Sequence, residues 1–271
     1  MFNLKDFRTK PVTLADRLPW VMMLNDSTIL NKTGTFMSVI SFRGPDLDST
    51  TSSHLMALVG SLNNTLKRIG DGWALFTEHK RRETDEYPKS SFPHITSLMI
   101  DEERRIRFQD STQHYESEYY FSLVWLPPSD TSKKAGSRLI ENSKQEKGEI
   151  DRKADEARFL SMCKSIYSDL ASVFPECEIL RNGELLTYLH STISTTPINI
   201  QMPEVPMYLD SLLADEAWQG GLEPTLGSKH IRLATIRYFP NEQFPGILDQ
   251  LNNENMSYRF VSRWISIEKQ D

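Results

Sequence analysis

The sequence predicts an α+β protein with antiparallel sheets whose helices pack on one face. Stretches with apolar residues at every second position alternate with stretches whose apolar residues recur every three or four positions. In the second half of the chain, these stretches follow the order strand, helix, strand, then strand, helix, strand. This order is typical of the split βαβ arrangement of ferredoxin-like sheets.

The first 114 residues predict a smaller N-terminal subdomain that begins with a hairpin. Residues 27–31 and 35–43 have the composition of strands, and Gly34 between them supplies the positive φ that a tight turn needs. The unit continues with an amphipathic helix, a strand and a charged helix, at 55–69, 72–78 and around 100–114. We therefore expect a hairpin-helix-strand subdomain over 1–114.

Residues 115–271 predict the ferredoxin-like subdomain. Its strands are expected at 119–126, 177–181, 231–239 and 258–267. Its helices are expected at 160–174, 185–193, 207–214 and 243–253. Between the first strand and the first helix, residues 129–149 are rich in Ser, Lys and Glu, which indicates a surface loop.

Composition narrows the classes of function. The 271 residues carry 31 Lys and Arg against 37 Asp and Glu, and this net charge of −6 argues against extensive nucleic-acid binding. The first residues do not resemble a secretory signal, and the apolar runs at 20–24 and 121–126 are far shorter than the ~18 residues of a membrane span. Cys163 and Cys177 suggest no disulfide framework, so a reducing compartment is expected.

No pattern in the sequence predicts a catalytic centre. The best candidate for a phosphate loop is 220–229, but Ser228 separates Gly227 from Lys229, and Pro224 has no amide proton to donate. No two histidines have the i,i+4 spacing of a helical zinc pair, and neither cysteine has a Cys-x-x-Cys partner. We therefore expect no metal and no other cofactor in this chain.

Two other functions stay open at this point. An enzyme with a dispersed active site would draw on His190, Glu204 and His230, provided that they converge in one pocket. A module that binds single-stranded DNA would use the cations at 80–82 and 104–107, although no aromatic residues are interleaved with the first of these runs.

A long irregular stretch near residues 203–224 predicts a partner-binding surface. It is poorly periodic and combines proline, glycine and a large aromatic residue, and such segments in compact domains are often functional. Trp20, which follows Pro19, stands in a similar context, and aromatic residues of this kind are enriched in interface cores. The candidate contact residues are Trp20, Pro203, Pro206, Trp218, Gly220, Gly221, Leu222, Glu223 and Pro224.

Short motifs spread over the whole chain carry a family resemblance. They lie at 14–20, 42–47, 62–64, 72–75, 101–105, 125–128, 186–194, 203–206, 208–210, 220–224 and 248–252, and the densest is 186–194. In this order they resemble the N-terminal region of TrbE/CagE-type ATPases, the VirB-family motors of conjugation and type IV secretion. The likeness is greatest to the TrbE branch.

The resemblance implies a supporting role for this region of the motor. Members of the family continue into a RecA-like domain that binds ATP and Mg²⁺, and we expect that domain to be absent from this chain. The implied role is docking at the cytoplasmic face of the bacterial inner membrane, beside a small TrbD-like membrane subunit and other secretion subunits. Self-association into a hexamer, only peripheral membrane contact and no direct contact with nucleic acid are also expected.

Overall fold

The computed structural model of the chain describes residues 13–45, 49–110, 113–128, 147–238, 241–242 and 248–266. The strands are β1 (Trp20–Met23), β2 (Ile29–Asn31), β3 (Phe36–Arg43), β4 (Trp73–Glu83), β5 (Tyr115–Trp125), β6 (Glu176–Ile179), β7 (Trp218–Gln219), β8 (Thr225–Leu226), β9 (Lys229–His230) and β10 (Tyr258–Ile265). The helices are α1 (Leu14–Arg17), α2 (Ser52–Leu66), α3 (Ile95–Asp110), α4 (Lys147–Ala171), α5 (Asn182–Ser191), α6 (Leu209–Leu213) and a 3₁₀ helix (Asp249–Asn253). The predicted α+β class is confirmed.

Seven antiparallel strands form the main sheet. The path runs β1-β2-β3-β5-β4-β10, and β6 pairs with β3 on the same side as β2. Strand β5 lies between β3 and β4, which are the two strands that α2 connects. The order β6-β3-β5-β4 is therefore the split βαβ order of a ferredoxin-like sheet.

This ferredoxin-like order occupies residues 36–179, whereas the sequence pattern placed it in 115–271. The predicted boundary after residue 114 falls inside the sheet, because β5 pairs along its length with β3 and β4 from the other side of that boundary. Phe36 lies opposite Trp125, although almost ninety residues separate them in the chain. Local patterns identify strands, but such distant pairing depends on which apolar faces match in space.

Several predicted elements of the second half differ from the structure. Residues 231–238 form no strand, and Phe239 lies outside the described residues. Of the helix predicted at 243–253, residues 243–247 lie outside the described ranges, and the remainder is the short 3₁₀ helix. The predicted loop at 129–149 lies outside them as far as residue 146, and α4 begins at Lys147.

Helices cover both faces of the sheet, not one face as predicted. Phe36 and Ile40 of β3 pack with α2 and α4, whereas Val39 between them packs with α5 and α6 on the opposite side. A strand with adjacent buried apolar residues is typical of a sheet covered on both faces. The centre of the first layer is Phe159 of α4, whose ring lies 5.5 Å from the ring of Trp73.

A buried polar network attaches β10 to the second face. The Glu78 carboxylate on β4 accepts a hydrogen bond from Tyr188 at 3.0 Å and forms an ion pair with Arg259 of β10 at 3.1 Å. Arg259 also donates to Ser191 at 3.1 Å, and the hydroxyls of Ser122 and Tyr188 lie 3.2 Å apart. Burial, followed by the negative charge of Glu78, raises the pKa of Tyr188. Tyr188 is therefore a neutral donor at physiological pH, which suits a buried carboxylate.

None of the helices within the described ranges is both long and apolar enough to cross a lipid bilayer.

Candidate partner-binding surface

The predicted contact residues divide into one core residue and a group on the surface. Trp20 is only 6% exposed and packs with Leu185 and Leu189 of α5, so its side chain belongs to the interior. The remaining candidates, at 203–206 and 218–224, lie in irregular backbone and short strands outside the main sheet. The interior position of Trp20 follows from β1, whose first side chain points towards α5 and α6.

A methionine-lined crevice is the most enclosed feature of this region. It has a volume of about 150 Å³. Its walls come from β1, α5 and the segment that leads into α6, and they consist of Met22, Met23, Leu186, Met202, Pro203, Glu204, Pro206, Met207 and Leu209. Four of the protein's ten methionines therefore meet here. Their clustering around the two prolines was a signal that the sequence interpretation did not use.

Close backbone contact holds the crevice segment against α5. The amide of Ile200 donates to the hydroxyl of Thr187 at 2.9 Å. A Cβ atom at Gly183 would lie 2.5 Å from the carbonyl oxygen of Ile200, so the first turn of α5 needs glycine there. This contact sets the position of the following residues, and Pro203 and Pro206 restrict their backbone further.

Apolar side chains surround the mouth of the crevice. Val205 is 69% exposed and Tyr208 is 67% exposed, while Met202 and Met207 are each a little under half exposed. Methionine is flexible and polarizable, and it is often used where one surface must accept partners of different shape. The structure thus combines a small apolar cavity with an adaptable rim.

A small three-stranded sheet carries the glycine-rich candidates. β7 and β8 form a hairpin whose connecting turn holds Gly220, Gly221, Leu222, Glu223 and Pro224. The side chain of Leu222 is fully exposed at this turn. A Cβ atom at Gly220 would lie 2.9 Å from the ring of Trp218, so glycine permits the turn to fold over that ring. The Arg17 guanidinium lies 5.3 Å from the centre of the same ring.

One carboxylate anchors the base of the hairpin. Glu216 accepts hydrogen bonds from the Ser194 hydroxyl at 2.8 Å, the Thr195 amide and hydroxyl at 2.9 Å and the Thr196 hydroxyl at 3.3 Å. Burial alone raises the pKa of Glu216, but these donors outweigh that effect and lower it overall. A Cβ atom at Gly227 would lie 2.7 Å from the same carboxylate, so the hairpin passes close above it.

Negative charge is concentrated in this region of the chain. Residues 182–228 contain no Lys or Arg and six acidic residues, which are Glu184, Glu204, Asp210, Asp215, Glu216 and Glu223. The other residues contain 31 Lys and Arg and 31 Asp and Glu, since 37 less six leaves 31. The whole formal charge of −6 therefore originates in this segment.

Half of these acidic residues are already engaged by neighbouring groups. Asp210 pairs with Lys32 at 2.8 Å, Asp215 lies 2.8 Å from the Nε2 atom of His190, and Glu216 has the hydroxyl and amide donors described above. Glu184, Glu204 and Glu223 form no ion pair with any residue that the structure describes. Glu204 is the member of this group that lines the crevice.

The groups suggested for a dispersed active site occupy different environments. His190 is 2% exposed and lies against Asp215, whereas His230 is exposed on β9. Glu204 lines the methionine crevice, whose walls include neither histidine. Across the described ranges, no cluster of three or more His, Cys, Asp or Glu could hold a metal. Burial raises the pKa of Cys163 to about 12, so its thiol is not a nucleophile at neutral pH.

The cations suggested for DNA binding are largely paired with carboxylates. Lys80 and Arg82 contact Glu118 at 2.8 and 3.0 Å on the sheet surface. Arg105 pairs with Glu102, and Arg107 pairs with Glu103, within α3. These pairs leave little uncompensated positive charge for a phosphate backbone.

A larger open cleft of about 1660 Å³ lies where β3, β5 and β6 meet the 3₁₀ helix. Aromatic side chains line it, including Tyr115, Tyr119 and Tyr258. His79 stacks on Tyr119 at 4.6 Å, and its ring nitrogens lie close to hydroxyls of neighbouring strands. Burial, and then Arg81, lower the pKa of His79, so these groups form a neutral, mutually bonded set.

Comparison with known proteins agrees with the arrangement of motifs along the chain. The family described as "Type IV secretion system ATPase VirB4/TrbE, N-terminal domain" matches residues 27–133. In Sinorhizobium fredii, a probable conjugal transfer protein TrbE is divided into two segments. The chain is 33% identical to the first segment over 142 residues, which are 51% of this chain and 95% of that segment. The chain belongs to the VirB4/TrbE family.

Two further relatives show how much of the family protein this chain represents. It is 30% identical to the "Conjugal transfer protein TrbE" of Rhizobium radiobacter over 292 aligned residues, which cover 100% of the chain and 35% of that TrbE. It is 28% identical to the "Type IV secretion system protein virB4" of Bartonella henselae over 51% of the chain and 18% of that relative. The chain thus spans about a third of the length of the Rhizobium TrbE.

The VirB4/TrbE match and the candidate surface occupy different regions of the chain. The matched residues 27–133 contain strands β2 to β5, which form the centre of the main sheet. The crevice segment and the hairpin follow later, and they are included in the alignment with the Rhizobium TrbE, which spans the whole chain. The resemblance predicted from the short motifs is confirmed.

Proposed function

We propose that this chain is the docking and assembly module of a type IV secretion ATPase and that it has no catalytic role of its own. It would bind other subunits of a conjugal transfer machine at the cytoplasmic face of the bacterial inner membrane. The observation that carries the proposal is the surface at 198–226, where exposed apolar side chains, a small apolar crevice and uncompensated negative charge occur together. Monomeric proteins rarely expose such combinations unless they bind partners.

Family membership supports the setting of this role. The relatives are named as conjugal transfer and type IV secretion proteins, and the matched family is the N-terminal domain of a secretion ATPase. Binding of ATP and Mg²⁺ would then belong to regions of the family protein beyond the one represented here. A small TrbD-like membrane subunit is the partner that we propose first.

The test combines a nucleotide assay with co-purification. We expect the purified chain to show no saturable binding of ATP and no hydrolysis of ATP. We also expect the chain to co-purify with a co-expressed TrbD-like membrane subunit. Gly221→Trp and Leu222→Asp in the exposed turn should abolish that co-purification and leave the melting temperature unchanged.

A matched control keeps this test specific. Met56 on α2 is 74% exposed and lies on the far side of the main sheet from α5, so Met56→Asp introduces the same chemistry elsewhere. It should leave co-purification intact. Robust ATP hydrolysis by the chain, or failure of the unaltered chain to bind any secretion subunit, would refute the proposed function.

A further inference from the structure

We infer that the methionine-lined crevice accepts one bulky apolar side chain from a partner protein segment in which Lys or Arg flank that side chain. This inference rests on the proposed docking function and names the chemistry of the partner. It goes beyond that function because it assigns the anchoring cavity, the anchor and the sign of the flanking charge.

The size of the crevice suits a single anchor. A cavity of about 150 Å³ with apolar walls is large enough to bind a benzene ring in other proteins. The crevice has the same volume, about 150 Å³, which matches a phenylalanine or leucine side chain. Binding energy at protein interfaces is usually dominated by a few such anchors in desolvated pockets.

The composition of the crevice favours an apolar occupant. Eight of its nine lining residues are methionine, leucine or proline, and Glu204 is the exception. The methionines come from two distant regions of the chain, β1 and the segment before α6, so the cavity depends on the folded sheet. Their flexible side chains can close around rings or branched chains.

The charge around the crevice indicates the residues that flank the anchor. Glu204 stands in its wall without an ion-pair partner among the residues described, and no Lys or Arg occurs anywhere in 182–228. A basic segment would gain both attraction on approach and a partner for Glu204. An acidic segment would be repelled by the same charges.

The same charge argues for a protein partner and against a lipid surface. The cytoplasmic leaflet of bacterial membranes carries anionic lipids, which repel a segment of charge −6. Cytoplasmic segments of membrane proteins are instead enriched in Lys and Arg. A juxtamembrane segment of a membrane subunit therefore offers both the apolar anchor and the basic flanks.

The experiment uses a fluorescent synthetic peptide that has one phenylalanine between lysines. Two matched peptides replace the phenylalanine by alanine, or all lysines by glutamate. We expect saturable binding of the first peptide to the full chain, weakened about tenfold or more, a loss of about 1.4 kcal/mol, for either matched peptide. Added salt should weaken the binding, since some of the attraction comes from exposed charge.

Variants of the chain locate the binding. Met207→Asp and Glu204→Lys should each weaken the first peptide about tenfold, whereas Met56→Asp and Asp71→Lys make the same changes on distant exposed positions and should not. Thermal melts should coincide for all four variants. Glu204→Lys should also bind the glutamate peptide more tightly than the unaltered chain does.

The outcomes separate this inference from the proposed function. Equal affinity for the lysine and glutamate peptides, or equal effects of Met207→Asp and Met56→Asp, would overturn the inference. Binding of phosphatidylglycerol vesicles that is lost in the crevice variants would assign the crevice to lipid and overturn it as well. If the crevice variants still co-purify with the membrane subunit, the docking function stands and only this anchoring site fails.

Discussion

The ferredoxin-like unit at 36–179 and the segment at 198–230 are held together in different ways. In the first, helices bury both faces of a sheet, and its centre is an aromatic cluster around Phe159. In the second, short strands and irregular backbone are held by a few contacts, such as those of Glu216 and Gly183. Apolar side chains there remain exposed.

This difference teaches where to look for function in the molecule. A region that buries its apolar residues needs no partner, whereas a region that exposes them beside uncompensated charge gains stability from one. The family match at 27–133 lies over the main sheet, which fits a shared structural base. Predictions that contrast the two regions can break or sharpen this division.

The largest effect is expected in the aromatic cluster. Phe159 is fully buried, with its ring 5.5 Å from Trp73 and 5.7 Å from Phe36. Phe159→Ala should lower the free energy of unfolding by about 3–5 kcal/mol, because it removes buried contacts and leaves a cavity. Urea denaturation measures this change, and a loss below about 1 kcal/mol would contradict the central role given to this ring.

The next effect concerns the attachment of β10. Arg259→Ala leaves the Glu78 carboxylate buried without its cation, and we expect a loss of about 3 kcal/mol in unfolding free energy. Glu78→Gln in the same background should restore some of the loss, since a neutral amide costs less to bury. Denaturation of the single and double variants gives the coupling, and additive losses would argue against the network.

A smaller, pH-dependent effect is expected at the base of the hairpin. Hydrogen bonds lower the pKa of Glu216 in the folded chain, so the stabilisation they provide is present above the unfolded value of about 4.3 and is lost as the pH falls. NMR of the Thr195 amide, which donates to Glu216, should show this loss in acid. Glu216→Gln should remove the transition, and an unchanged titration in that variant would assign it to another group.

The smallest effect on stability is expected at the exposed turn. Leu222→Ser should change the unfolding free energy by less than about 0.5 kcal/mol, because the side chain contacts solvent in the free chain. The same variant should nevertheless reduce co-purification with the membrane subunit. A clear loss of stability would show that the turn packs within the chain and is not a free contact surface.

Sequence patterns predicted much of the fold and only some of the candidate site. Period-two alternation located β3, and the apolar stripe located α2, since both depend on neighbours in the chain. Pro203 and Pro206 were predicted as contact residues and do line the crevice. Met22 and Met23 were missed because they reach the crevice from β1, almost two hundred residues away.

The absence of a strand at 231–238 has a related cause. Its sequence alternates apolar and polar residues as a strand does, yet a strand forms only where another strand supplies hydrogen bonds. Within the described chain, β10 takes the place beside β4, and Leu233 and Tyr238 remain exposed. The propensity is local, but the pairing is decided by the whole sheet.

The sequence by itself determined the α+β class, the family, the positions of most long helices and strands and the concentration of negative charge in 182–228. Tertiary structure alone decided that β5 lies between β3 and β4, that Trp20 is interior and that four methionines meet in one crevice. Periodicity and charge are properties of neighbouring residues and can be read along the chain. Pairing and enclosure join distant residues, and their energies depend on which surfaces the folded chain brings together.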